Sequence, residues 1–220
     1  MARWQPEKKD ALDALAAEIV ALYAGGRVVV AIDGMDGAGK THFADDLGVA
    51  LTATGRSVFR ASMDDFYRSK AERHARGAES PDGYYRDSFD YSTFRRVLLE
   101  PFRLGGSTAF VTAAFDHVRD LPVQAKWRTG PKDAMLVLDG IFLNRPELAG
   151  LWNYSVWLLE VTREIAEKRM LDRDGPTGNA ERYRGGQDLY LSEVNPRTAA
   201  SSIIDNCDFD HPRRIFADSC

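Results

Sequence analysis

The stretch "AIDGMDGAGKTHF", residues 31–43, decides the fold. An apolar run meets three glycines, a lysine and a threonine within eight positions, spaced Gly34-x-x-x-x-Gly39-Lys40-Thr41. This is the spacing of a phosphate-binding loop (Walker A). Such a loop converges backbone N–H groups on one point, and glycine permits the angles while keeping Cβ atoms away from the phosphate. The helix starting near Gly39 aims its positive end at the same place. Lys40 supplies a mobile charge for the β- and γ-phosphates, and the Thr41 hydroxyl can hold Mg²⁺. The expected nucleotide contacts therefore run from Gly34, Met35, Asp36, Gly37, Ala38 and Gly39 to Lys40, Thr41 and His42, with ATP and Mg²⁺ as cofactors.

The flanks agree with this reading. "RVVVAID" (27–33) is an apolar β-branched run of strand length, and "THFADDLGVALTAT" (41–54) puts Phe43, Leu47, Ala50 and Leu51 on one helical face. Upstream, "PEKKDALDALAAEIVALYAGG" carries Leu12, Leu15, Ala16, Ile19, Leu22 and Tyr23 at helical spacing over 6–24. Further strands are expected at 57–61, 108–114, 134–138, 154–159 and 202–204, with helices at about 91–103 and 162–173. Alternation of this kind predicts an α/β fold with a mostly parallel sheet covered on both faces. Ligands in such sheets gather at the carboxyl ends of strands, so the residues after each strand carry the functional reading.

The whole chain bounds the function. It has 220 residues, 44 % of them hydrophobic, which suits one α/β domain. A net charge of −4 with mixed signs gives no support to non-specific nucleic-acid binding. The two cysteines, Cys207 and Cys220, imply neither a disulfide framework nor a zinc site. No apolar run approaches membrane length, and the expectation is a cytoplasmic protein without a membrane partner. Oligomeric state is not legible, and a homo-oligomer is compatible with the sequence.

Three strand ends offer acids and bases. "SMDDFYRSK" (62–70) puts Asp64 and Asp65 where a carboxylate can orient an attacking hydroxyl; a turn or cap is the alternative. Asp139, ending "AMLVL", is placed to reach Mg²⁺ together with Thr41, or to bond its own turn. Thr162 is the expected N-cap of "TREIAEKRMLDRD", on which Arg169 and Arg173 share one side and can clamp phosphates. Basic residues late in a helix are equally favoured by its dipole. The glycine-rich "GPTGNAERYRGG" (175–186), with Arg182 and Arg184, reads as a mobile lid over 174–187. His42, beside Asp45 and Asp46, reads as part of a solvated face.

In this order, from Val28 to about Pro212, the segments resemble the uridine kinase and phosphoribulokinase family of P-loop kinases. "MDDFYR" resembles that family's Asp-x-Phe-Tyr signature, which implies Asp64 as catalytic base and places Tyr67 at the substrate. "DSFDYSTF" (87–94) is similar to the segment whose aspartate, here Asp90, holds ribose hydroxyls; Asp90 also stands where it would cap a helix from Tyr91. "LVLDGIF" is similar to the family's strand ending in an acid, with Asp139 in place of the usual Glu. Arg169 matches the family's lid-helix arginine and Arg173 matches more loosely. "SIIDNCDFD" resembles the adenine-contacting segment and implies Asp205 and Asn206.

The base-contacting stretch departs from the family. In "AAFDHVRD" (113–120), Phe115 replaces a tyrosine and the proline is absent, leaving Phe115, His117 and Arg119 as expected acceptor contacts. The resemblance implies a three-layer P-loop NTPase fold with a lid and a small hairpin (106–130) over the acceptor site. Its activity would be a phosphotransferase moving the γ-phosphate of ATP to an alcohol of a nucleoside-like or other polyol acceptor. A kinase of pantothenate, glycerate or a sugar phosphate stays open, as does a nucleotide-dependent regulatory protein.

Overall fold

The computed structural model describes residues 6–159, 162–174 and 180–216. In chain order, α1 (Lys8–Leu22) leads into β1 (Val28–Gly34), α2 (Lys40–Ala53) and β2 (Val58–Ser62). Short helices follow: a 3₁₀ turn at Met63–Phe66, α3 (Lys70–Arg73), α4 (Pro81–Asp87), α5 (Tyr91–Phe94), a π turn and α6 (Glu100–Leu104). The two-residue strands β3 (Phe115–Asp116) and β4 (Leu121–Pro122) pair as an antiparallel hairpin. The chain then makes β5 (Met135–Gly140), β6 (Tyr154–Leu158), α7 (Arg163–Asp174), α8 (Ala180–Glu193), α9 (Pro196–Ala199), β7 (Ser202–Asp205) and β8 (Arg213–Ile215).

Six strands form one sheet in the order β2-β5-β1-β6-β7-β8, parallel except for β8. The central strands are buried along their whole length, which is why they read as unbroken apolar runs. Their two-residue period splits the core. Val28, Val30 and Ile32 face α1 and α2 on one side, while Val29 and Ala31 join the aromatic core on the other. Register pairs Ile32 and Ser62 with Asp139, bringing the carboxyl ends of β1, β2 and β5 together where the phosphate loop begins. No helix among the described residues is long and apolar enough to cross a membrane.

Three expectations are corrected here. The run 108–114 is not a strand of the sheet: Phe110 makes a single bridge to Arg128, and its ring packs edge-on against Phe59 and Phe102. Its hydrophobicity serves the core instead of a ladder. Leu22, assigned to the packed face of α1, is exposed. Residues 180–187, read as a glycine-rich lid segment, are helical instead: they open α8 and pack against α4. A Cβ on Gly185 would meet Pro81 at 2.7 Å and one on Gly186 would meet Tyr84 at 2.6 Å. Arg182 is buried and donates to the carbonyls of Arg73, Gly77, Ala78 and Ser80. It is a structural tie between α8 and the α3–α4 segment. The rest of the proposed lid, 175–179, lies outside the described residues.

Candidate active site

Gly39 caps α2 with φ 85°, and Gly37 takes φ 75° against α7, where a Cβ would meet the Ala166 backbone at 2.8 Å. Both positions need the left-handed region and the missing side chain. Lys40, the first residue of α2, curls back so that Nζ donates to the Met35 carbonyl at 2.9 Å. The loop thus holds its lysine over its own mouth.

Beside it the Thr41 hydroxyl donates to Asp139 Oδ2 at 2.8 Å. Asp139 is almost fully buried, and Arg60 Nη2 pairs with its other oxygen at 2.7 Å. Ser62 Oγ lies 3.4 Å from Oδ2. One hydroxyl and one carboxylate, both hard oxygen donors, fit Mg²⁺, which keeps waters and phosphate oxygens in its remaining positions. No cluster of three or more His, Cys, Asp or Glu suited to a metal occurs among the described residues. Arg60 was not singled out from the sequence, since its pairing spans 79 positions.

Under the loop, fully buried Asp33 accepts from the Gly34 amide, the Asn144 amide and side chain, and the Tyr190 hydroxyl. Burial pushes its carboxyl up, while those bonds and the charge of Lys40 pull it back. Four donors on one carboxylate lock the end of β1 to the chain after β5 and to α8.

The acceptor side is built on the 3₁₀ turn. Asp64 stands on this turn, which contacts β3 of the hairpin, with part of its surface open to solvent and its carboxyl crowded by protein. Burial pushes its carboxyl up; Lys40 and His117 pull it down, and the charges of Asp139 and Asp36 push it further up. Asp65 is pushed up to about 6, first by burial and then by Asp64 and Asp139. Its carbonyl accepts the Ala114 amide at 2.9 Å, tying the turn to the hairpin. The Tyr67 ring is tilted against those of Phe89 (4.7 Å between centres) and His117 (5.2 Å), with the Arg73 guanidinium 5.0 Å from its ring centre.

Phe115 is half-buried in β3, and exposed Arg119 lies 3.6 Å from Asp116. Asp90 caps α5, accepting the Thr93 amide on Oδ1 at 2.9 Å. Burial opposes its charge, but the Thr93 bonds and Arg68 hold its carboxyl below the usual range.

At the opposite end of the loop, Arg169 donates to the carbonyls of Gly37 and Cys207, each at 2.9 Å. Its guanidinium lies 3.8 Å from the centre of the Phe209 ring. Buried Asn206 donates to the Ala38 carbonyl at 2.9 Å. Phe209 touches Gly39 and stacks toward His42, which makes it the aromatic of this end; "SIIDNCDFD" contained it, but only Asp205 and Asn206 were singled out. Asp205 accepts from the Cys207 amide and pairs with Arg213 at 2.8 Å. The Arg173 side chain lies outside the described residues.

No family model matches the chain. A curated uridine kinase of Leuconostoc citreum is 26 % identical over 175 residues, 77 % of this chain and 78 % of that protein. Among solved structures, a possible uridine kinase from Bacillus stearothermophilus superposes with a TM-score of 0.70 at 26 % identity, covering 89 % of this chain and 97 % of that one. A candidate fructose transport system kinase from Silicibacter gives a TM-score of 0.63 at 25 % identity, covering 86 % and 94 %. Together with the loop, these likenesses make the chain a nucleotide-using P-loop kinase that resembles uridine kinase and phosphoribulokinase.

Proposed function

We propose that this P-loop kinase transfers the γ-phosphate of Mg·ATP to a hydroxyl of a small polyol, nucleoside-like in shape, bound between the end of β2 and the β3–β4 hairpin. The observation that carries the reading is Asp64. It stands in electrostatic reach of Lys40 on the donor side and His117 on the acceptor side. A group in that position can accept the proton of the attacking hydroxyl. The hydroxyl oxygen then forms its bond to the γ-phosphorus while the bond to the β–γ bridging oxygen breaks, and ADP leaves with the electron pair. Little covalent chemistry falls to the protein, so positioning and charge stabilisation do most of the work.

Lys40 neutralises the transferring group, and Arg169 sits on the far side of the loop. Thr41 and Asp139 would hold Mg²⁺, which supplies charge neutralisation at the phosphates. Arg60, paired with the other oxygen of Asp139, holds that carboxylate in place. Tyr67, His117 and Phe115 offer flat contact to a ring.

Asp90 can serve two purposes: it caps α5 through Oδ1, and its carboxylate can also accept from the hydroxyls of a diol. Asp90→Asn should therefore keep the cap, as asparagine caps about as well as aspartate. It is expected to raise the acceptor KM roughly five- to tenfold with Tm unchanged, since the charge-assisted bond is weakened. Unaltered acceptor kinetics would reduce Asp90 to a cap.

The acceptor itself is tested with a panel of uridine, cytidine, adenosine, ribose, fructose, glycerate and pantothenate, scored by acceptor-dependent ADP release. Phe115 cannot donate a hydrogen bond to a base edge, and an unpaired polar edge is penalised strongly, so uridine and cytidine should be poorer than the best acceptor. Efficient turnover of either would refute that point. A sugar is the second reading, favoured by the likeness to the candidate fructose transport system kinase. ADP release that no panel member stimulates would sink the acceptor reading and point to a nucleotide-dependent regulator.

A further inference from the structure

Residue 36 lies in the middle of a loop that holds a polyanion, and it is an acid. Aimed at the phosphates it would repel them. The structure turns it away. The Asp36 amide donates to Gln187 Oε1 at 3.0 Å, so this N–H is already taken. Its side-chain Oδ2 accepts from Gln187 Nε2 at 3.1 Å and from the Tyr84 hydroxyl at 3.2 Å. Among the described residues both donors fall on Oδ2, which leaves Oδ1 for a ligand.

The clamp is itself braced. Gln187 spends its other N–H on the Tyr183 carbonyl at 3.2 Å, and buried Tyr84 packs edge-on against Tyr183 and Phe142. One turn along α8, Tyr190 holds Asp33 beneath the same loop. Gly185 and Gly186 seat the helix on Pro81 and Tyr84. The charge of Asp36 is felt on the acceptor side, at Asp64 and Tyr67.

We infer that Asp36 is an acceptor-binding residue: Oδ1 accepts a hydrogen bond from a second hydroxyl of the acceptor, near the one that receives the phosphoryl group, while Tyr84 and Gln187 hold the carboxylate in place. The inference rests on the polyol-kinase reading above and narrows it. A monohydric alcohol would leave Oδ1 without a donor and would be a poor acceptor. Gln187 is a positioning residue, acting on the acceptor only through Asp36.

The test uses the whole chain, Mg·ATP, and the best-turned-over compound of the panel with its monodeoxy analogues. Asp36→Asn is expected to raise the acceptor KM about tenfold or more while the calorimetric Kd for Mg·ATP moves less than about threefold. The wild type should reject one deoxy analogue much more strongly than Asp36→Asn does. Gln187→Ala should act in the same direction, less strongly, with nucleotide affinity kept.

Two outcomes overturn the inference alone. Nucleotide affinity, acceptor KM and Tm worsening together would mean that Asp36 only braces the loop. Tighter Mg·ATP binding with an unchanged acceptor KM would mean that the carboxylate faces the phosphates. A panel with no acceptor at all would overturn the parent reading and this one with it.

Discussion

Lys40→Ala is expected to abolish turnover, with at least about a 10³-fold loss, while the protein stays folded. The loss is large because the lysine is the mobile charge of the loop and meets charge that develops only as the phosphoryl group moves. The fold should survive, because the side chain makes one hydrogen bond, to the Met35 carbonyl, and a single such bond is worth about 1 kcal/mol. A second signature separates this loss from simple misfolding. Lys40 lowers the proton affinity of both Asp64 and Asp33, so its removal should drive both carboxyls further up. Residual activity in Lys40→Ala should then fall away at a higher pH than in the wild type. Normal turnover in a purified Lys40→Ala protein, or no nucleotide binding to the wild type by calorimetry, would overturn the assignment of the loop.

The parts of the molecule legible from sequence are those set by local pattern. The β-branched run before Gly34 and the glycine spacing after it locate β1 and the loop without any distant contact. The long-range parts were not legible. Arg60 meets Asp139 only because β2 and β5 are adjacent strands, a fact of topology. Gln187 and Tyr190 sat in and just beyond a glycine-rich stretch that reads as a lid. Gly185 and Gly186 are there for close helix packing, and composition does not distinguish that from mobility. The run 108–114 misled for a related reason: Phe110 is apolar because it is buried under Phe59, with no ladder to extend. Asp90 shows the limit at one residue. Its cap is a local signal, while what else its carboxylate meets depends on a ligand.

Asp64→Asn is expected to lower turnover by about 10²–10⁴ with little change in nucleotide affinity, as for a group that acts on the acceptor hydroxyl. Asp65→Asn should be much milder. The two neighbours differ in exposure: Asp64 is open to solvent, and half-buried Asp65 ties its carbonyl to Ala114 just before β3. The pH dependence follows from their surroundings. A base must be ionised to accept a proton, and burial raises the Asp64 carboxyl above its ordinary value. The rate in the wild type should therefore fall on acidification with an inflection above the ordinary aspartate range. Stability should run the other way. A carboxyl raised in the folded state binds its proton more tightly there than in the unfolded chain. Its contribution is fully present below the unfolded value and is lost as the pH rises through the folded one. For Asp65 that window runs from about 3.8 to about 6. Ionised at neutral pH, both aspartates cost stability, and replacing either by Asn should leave Tm unchanged or raise it. For partly exposed Asp65 the gain is about 1 kcal/mol once solvent screening is allowed for. Asp64→Asn should also let the Asp65 carboxyl fall, since it removes a neighbouring negative charge. Turnover lost with stability kept or gained is the pattern of a catalytic base held ionised against its electrostatic preference. Equal kinetic losses at the two positions, or a drop in Tm that tracks the loss in rate, would remove Asp64 from the role of base.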